Sequence, residues 1–149
     1  MFTLNCRGRM LVVDAPVVMG IINCTPDSFF NGSRHQSVAH VTDAAAAMLA
    51  AGATILDVGG QSTRPGSERV DAATEQSRVV PAIVEIRRQF PHCFISVDTF
   101  YAAVARAAVE AGADLVNDVS AGLMDADMID TVATLGVPFV AMHMQGTPQ

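Results

Sequence analysis

Short, almost continuous apolar runs alternate along this chain with longer stretches in which apolar residues recur at helical spacing. The first run is VVMGIIN at 17–23, which ends in a polar loop and reads as a buried strand. TILDV at 54–58, FISV at 94–97, the strand begun by Leu115 and Val116, and VPFVAM at 137–142 read the same way. Between them, Val38, Val41, Ala45, Met48 and Leu49 line one face of a helix over 38–51, stopped by Gly52. Val79, Ile83, Ile86 and Phe90 make a stripe over 71–90, where Pro81 either kinks the helix or starts a second one. Tyr101, Val104, Ala105, Ala108 and Val109 share a face over 101–111, with Gly112 after it. A further helix over 125–135 has an acidic first turn, which suits the macrodipole, and ends at Gly136. Residues 2–13, with RGR in their middle, predict a small hairpin.

After the hairpin the order is β-α-β-α-β-α-β-α-β. Strict alternation predicts parallel strands joined by right-handed helical crossovers. Continuously apolar strands fit a sheet covered on both faces. A weak repeat agrees: AGATILD at 51–57 parallels AGADLVN at 111–117, each a helix stopping at Gly before a strand that ends in Asp or Asn. Two architectures satisfy this order, an open doubly wound sheet and part of a (β/α)8 barrel. The polar residues favour the barrel. NCTPDSFFNGS, GGQSTRPGS, DTF, NDVSAG and HMQGTPQ each follow a strand, whereas the helix-to-strand joints AGAT, AGAD and LGVP are plain. Parallel α/β folds place their sites at strand C-termini, and a barrel converges all of those ends on one axis.

Composition narrows the class further. The 149 residues suit one domain, and with 50% hydrophobic and 16% charged residues they can bury a core. A net charge of −6 without a basic run argues against nucleic acid and anionic membranes as partners. An anionic substrate would therefore need local cationic groups. Cys6, Cys24 and Cys93 show no metal-like spacing and read as reduced thiols of a cytoplasmic protein. The N-terminus lacks the apolar stretch of a secretory signal, and no run reaches the ~18 apolar residues of a membrane span.

Each polar strand end has a structural reading beside a functional one. Asn23 is a turn residue or a ligand contact. Asp57 holds a neighbouring loop or faces the site. Asp98 caps the helix from 101 or binds a ligand. Asn117 forms an Asx-turn or reads a ligand edge. Arg64 is a solvated loop cation or an anion contact, and His143 reads as a structural histidine. Taken together they make a cleft with acids, amides, hydroxyls and one arginine. Such a set suits a heteroaromatic ring recognised by donor–acceptor complementarity, with Ser62, Thr63 and Arg64 for a phosphate or carboxylate.

MGIINCTPDSF, LDVGGQSTRPGS, ISVDT, GADLVNDVSAG and MHMQGTPQ resemble dihydropteroate synthases in order and spacing. NxTPDSF and STRPG together are highly specific, and STRPG favours the synthases over pterin-dependent methyltransferases, which share the barrel. The resemblance covers nearly the whole chain but about the first half of the family's barrel. It implies an α/β fold made of part of a TIM barrel, about five parallel strands after an N-terminal hairpin. It implies condensation of p-aminobenzoate with 6-hydroxymethyl-7,8-dihydropterin pyrophosphate, the step that sulfonamides target. Asn23 would contact the pyrophosphate and its Mg2+, and Asp98 and Asn117 the pterin. Thr63 and Arg64 in the second loop and Phe29 in the first would lie near p-aminobenzoate and pyrophosphate. Two positions depart from the usual pattern: Asn31 and Gln61 stand where the family commonly has acids. The family also uses a later Asp, a Lys and an Arg-x-His pair, which fall beyond Gln149. The chain alone is thus expected to be truncated and inactive, and the alternative is a non-catalytic pterin-binding module. The family commonly forms homodimers, and a half-barrel would self-associate through its open edges.

Overall fold

The computed structural model of the chain describes residues 1–25, 34–61 and 69–143, with 34–38 by their backbone. The elements are β1 (Phe2–Cys6), β2 (Arg9–Val13), β3 (Met19–Asn23), α1 (Arg34–Ala50), β4 (Ile55–Gly59), α2 (Ala72–Gln89), β5 (Phe94–Asp98), α3 (Ala102–Ala111), β6 (Leu115–Asp118), α4 (Met128–Leu135) and β7 (Phe139–Ala141). β3 to β7 form one parallel sheet in the order β3-β4-β5-β6-β7. Each strand lies beside its sequence neighbour and the order never reverses. A doubly wound sheet reverses at its switch point, so this is the barrel arrangement, five strands of a (β/α)8 barrel. No described helix is long and apolar enough to cross a membrane.

Local chemistry explains most boundaries. α2 runs unbroken through Pro81, because Val79, Ala82, Ile83 and Ile86 stay buried on one face and outweigh the missing N–H. Asp71 caps it by accepting the Thr74 N–H at 2.7 Å. α3 ends at Gly112, whose φ of 125° lets the chain turn back into β6. The helix expected over 125–135 begins later, at Met128. Asp125 is taken up elsewhere: its Oδ2 accepts the Ala102 N–H at 2.7 Å, so it serves the start of α3 instead.

Two apolar clusters flank the sheet. In the larger one, Ile22, Leu56, Val58, Ile95, Val97 and Val116 pack against the helices. In the smaller one, Ile55 and Leu115, with Met19 and Phe94, meet Cys6 and Leu11 of the hairpin. Full burial of one such aliphatic side chain is worth roughly 1.5–3 kcal/mol. The expected hairpin is therefore a plug on the lumen side of the sheet, at the strands' N-terminal ends. Its turn, Arg7-Gly8, has φ of 57° and 86°, and Asn5 Oδ1 accepts the Gly8 N–H at 2.8 Å. Asp114, almost fully buried, pins the plug. It takes Arg9 Nη2 at 2.6 Å, Arg87 Nη2 at 2.5 Å and the Ile95 N–H at 2.8 Å. The Arg9 guanidinium lies 4.7 Å from the centre of the Phe94 ring.

Candidate ligand site at the carboxyl edge of the sheet

Register builds the site. Parallel pairing aligns Asn23 with Gly59, Gly59 with Asp98, Asp98 with Asn117 and Asn117 with Val140. Side chains alternate along a strand, so this row faces the lumen, opposite the helix-packed Ile22, Val58, Val97 and Val116. Two residues earlier lies a second lumen row, Ile21, Asp57, Ser96 and Leu115. The lumen is therefore apolar where the hairpin plugs it and polar at the carboxyl edge. Three of the residues singled out from the sequence, Asn23, Asp98 and Asn117, come together in one row. Phe29, Thr63 and Arg64, together with Asn31 and Ser62, lie outside the described residues.

The two rows are stitched by one bond. Asn117 Nδ2 donates to Asp57 Oδ2 at 2.9 Å, so Asn117 is not spent on its own turn. Asp57 is 4% exposed, and its other oxygen, Oδ1, has no hydrogen-bond partner among the described residues. Ser96 Oγ, beside it in register, is buried and likewise lacks a bond of good geometry, but its hydroxyl lies close enough to steady the Asp57 carboxylate, so the two complete each other with a small adjustment. Buried polar atoms are rarely left unpaired, and the Ser96 hydroxyl is the donor nearest at hand for Asp57 Oδ1. Burial pushes the Asp57 carboxyl above the usual carboxylate range, opposed by the nearby Ser96 hydroxyl and the Asn117 amide. The sequence gives Asp57 two equal readings and does not single out Ser96. The signal was there in the parity of Asp57-x-Gly59 and Ser96-x-Asp98, read together with the register.

Asp98 does not cap α3. The N-cap position is Tyr101, whose N–H goes to Thr99 Oγ1 at 3.1 Å. Asp98 instead faces an acidic neighbourhood. Burial first, then the charges of Asp57, Glu75 and Asp118, raise its pKa to about 7. Asp118 shapes the rim beside it, accepting the Ser120 N–H at 2.7 Å, Ser120 Oγ at 2.8 Å and the Gly122 N–H at 2.8 Å. Cys24, next to Asn23, is buried, and its thiol is pushed up to about 12, which removes it as a nucleophile. His143 lies exposed just beyond β7 rather than as a buried structural histidine.

Gly59 leaves a space at the middle of the row. A Cβ there would stand 3.4 Å from Asp98 Oδ2 and 3.8 Å from Asn23 Oδ1. The two side-chain oxygens thus frame a cradle that glycine keeps open. Among the described residues no group of three or more His, Cys, Asp or Glu side chains is arranged to hold a metal ion. A single amide oxygen, that of Asn23, fits a Mg2+ that brings most of its own oxygen shell from water and a phosphate, not one held in a closed protein cage.

Five parallel strands in unreversed order, with polar side chains gathered at their carboxyl edge, define an α/β-barrel protein. Comparison with known proteins narrows this. Residues 19–149 match the family model described as pterin binding enzyme. A dihydropteroate synthase of Streptococcus pyogenes is 46% identical over 138 residues, covering 93% of this chain and 52% of the relative. The mitochondrial folate synthesis bifunctional protein of Pisum sativum is 49% identical over 135 residues, covering 89% of this chain and 26% of that protein. The dihydropteroate synthase of Xanthomonas albilineans with 4-aminobenzoic acid superimposes with a TM-score of 0.89 at 46% identity, over 97% of this chain and 52% of that one. The chain belongs to the pterin-binding enzyme family. It spans about half the length of the Streptococcus pyogenes synthase and a smaller share of the bifunctional relative.

Proposed function

We propose that this chain forms the first part of a dihydropteroate synthase site, the part that holds the dihydropterin and the inner end of its pyrophosphate. The observation that carries this is the lumen row Asn23, Gly59, Asp98 and Asn117, with Asp57 behind it bonded to the Asn117 amide. A pterin ring offers N–H donors on one edge and acceptors on the other. Asp98 supplies an acceptor for the donors, with buried Asp57 behind it holding Asn117. The Asn117 amide is held in place by its bond to Asp57 and reads the neighbouring edge. Asn23, at the end of β3, faces the pyrophosphate side. Asn23 would hold Mg2+, which when bound would neutralise charge on the leaving pyrophosphate.

In the reaction, the bond from the pterin methylene carbon to the pyrophosphate oxygen breaks, and pyrophosphate leaves with that electron pair. The aniline nitrogen of p-aminobenzoate bonds to the carbon and then loses a proton. The chain's own residues contribute orientation and exclusion of water from the ring. Thr63, Arg64 and Phe29 belong to the p-aminobenzoate and pyrophosphate side of this reading by the family resemblance alone; the Xanthomonas albilineans relative, solved with 4-aminobenzoic acid, supports that compound as a ligand. No covalent intermediate on the protein is required, in keeping with the buried, high-pKa Cys24.

Calorimetric titration of a dihydropterin pyrophosphate, with Mg2+, into the 149-residue chain tests the proposal. Saturable binding is expected, and Asp98→Ala should reduce it at least ~100-fold, since a charged hydrogen-bond acceptor for buried donors is lost. Unchanged affinity in that variant would remove Asp98 from the site.

A further inference from the structure

Residues 61 and 70 flank the stretch that carries Thr63 and Arg64, and one side chain ties these flanks together. Gln61 Nε2 donates to the Val70 carbonyl at 3.0 Å, and Gln61 Oε1 accepts the Val70 N–H at 3.1 Å. Gln61 Nε2 also donates to Glu75 Oε2 at 2.8 Å. A single primary amide thus uses both of its donors and one acceptor. Glu75, in the first turn of α2, is fully buried. The approach is close enough to need Gly60: a Cβ there would stand 2.8 Å from Glu75 Cγ and 3.1 Å from its backbone oxygen. Both flanks are braced further. Arg78 Nη1 donates to the Gly60 carbonyl at 2.8 Å, and the Tyr101 hydroxyl to the Val70 carbonyl at 2.9 Å. The Arg69 guanidinium sits 4.2 Å from the centre of the Phe100 ring.

Only an amide satisfies this geometry. The Val70 carbonyl and Glu75 Oε2 are both acceptors. A carboxylate at position 61 offers them no donor, and a neutral carboxyl offers one for two. The groups facing Glu75 are Thr99 after β5, Gln61 after β4, Arg78 on α2 and Arg69 before it, and the Glu75 charge in turn reaches Asp98. Burial already raises the Glu75 pKa against those four partners, so a second carboxylate beside it would be strongly disfavoured.

We propose that Gln61 is a positioning residue: anchored on buried Glu75, its amide clasps residues 61 and 70 together, independently of pH, and so sets the flanks of the segment carrying Thr63 and Arg64 beside the end of β5. The glutamine is therefore not a family charge that has been lost but the group that fills two acceptors at once. The link from clasp to ligand rests on the synthase reading; the clasp itself does not.

The test is amide exchange at Val70 by NMR in the 149-residue chain, with Val97 in β5 as the control amide, alongside calorimetry with dihydropterin pyrophosphate and Mg2+. In the unaltered chain, Val70 protection corrected for intrinsic rates should stay flat from about pH 5 to about pH 8. In Gln61→Glu it should match within about twofold at the acid end and fall about tenfold at the alkaline end: the carboxylate could still accept the Val70 N–H, but repulsion from Glu75 and the Val70 carbonyl swings it out and takes that acceptor away. Gln61→Ala should lose the protection at every pH, with Val97 unchanged in each variant. If Gln61→Glu folds poorly, Gln61→Glu/Glu75→Gln removes the acid pair and should restore a folded chain with a flat profile. A flat profile in the single Glu variant, wild-type protection in Gln61→Ala, or equal loss at Val97 overturns the clasp. If the clasp holds and the unaltered chain binds ligand, the Glu variant should lose affinity over the same pH range. Equal affinity there overturns the positioning role. Absence of ligand binding by the unaltered chain counts against the synthase reading alone, because the Val70 profile still reports the clasp.

Discussion

A carboxyl that titrates near neutrality makes Asp98 the residue whose state most affects this site. Its pKa, raised to about 7 by burial and by Asp57, Glu75 and Asp118, lies well above that of an unfolded aspartate. The folded chain therefore holds this proton more tightly than the unfolded chain. Between the unfolded pKa of about 3.9 and the folded value, raising the pH costs stability, and above it the full cost is present. Asp98→Asn should thus stabilise the fold by up to ~4 kcal/mol at about pH 8 and by almost nothing at about pH 4, read from urea midpoints. The same charge is what ring donors would seek, so dihydropterin affinity should weaken as the pH falls through the folded pKa. An affinity that is flat across that range would mean the ligand does not engage the ionised carboxyl. Gly59 gives a second test, one that separates binding from folding. A Cβ there meets ordinary van der Waals distances of 3.4 Å or more, yet it occupies the cradle between Asp98 and Asn23. Gly59→Ala should leave the unfolding midpoint within ~0.5 kcal/mol of the unaltered chain while lowering pterin pyrophosphate affinity about tenfold by calorimetry.

At the scale of elements, one acid that serves three donors helps hold the hairpin, beside the bonds from Arg7 to the Val109 carbonyl and from Arg9 to the His92 and Cys93 carbonyls. Asp114 sits just before β6, yet it reaches Arg9 on β2, Arg87 on α2 and the backbone of β5. Removing its charge leaves two partly buried guanidinium groups short of a counter-ion. Asp114→Asn should cost ~2–4 kcal/mol in urea denaturation, and hydrogen exchange should show the loss first at the β1–β2 pairing. A loss under ~1 kcal/mol would mean that the apolar contacts of Cys6 and Leu11 hold the plug without the ion pairs. Elements also account for where local reading went astray. An acidic first turn predicted that the last helix starts at 125, but Asp125 stabilises the end of another helix. A local rule was obeyed at a non-local address.

For the whole molecule, the described sheet has two open edges, β3 and β7. Val18 and Ile21 at one edge are 61% and 62% exposed, and Val140 and Met142 at the other are also exposed. Unpaired apolar edges promote pairing between chains, so sedimentation velocity should show concentration-dependent association, which Ile21→Lys should reduce. A monodisperse monomer at high concentration would show that the edges are protected in some other way. The sequence by itself determined the order of strands and helices, the glycine stops and the polar strand ends. These follow from periodicity and backbone preference, which act over a few neighbouring residues. It also carried the family motifs, and with them Asn23, Asp98 and Asn117. Tertiary structure decided the unreversed strand order, which makes a barrel of an alternation that fits two folds. It decided the register that puts Asn23, Gly59, Asp98 and Asn117 in one row. It also decided the pairings that span 60 residues from Asn117 to Asp57 and 105 from Arg9 to Asp114. Such contacts depend on which side chains packing brings face to face, and no local preference along the chain encodes that.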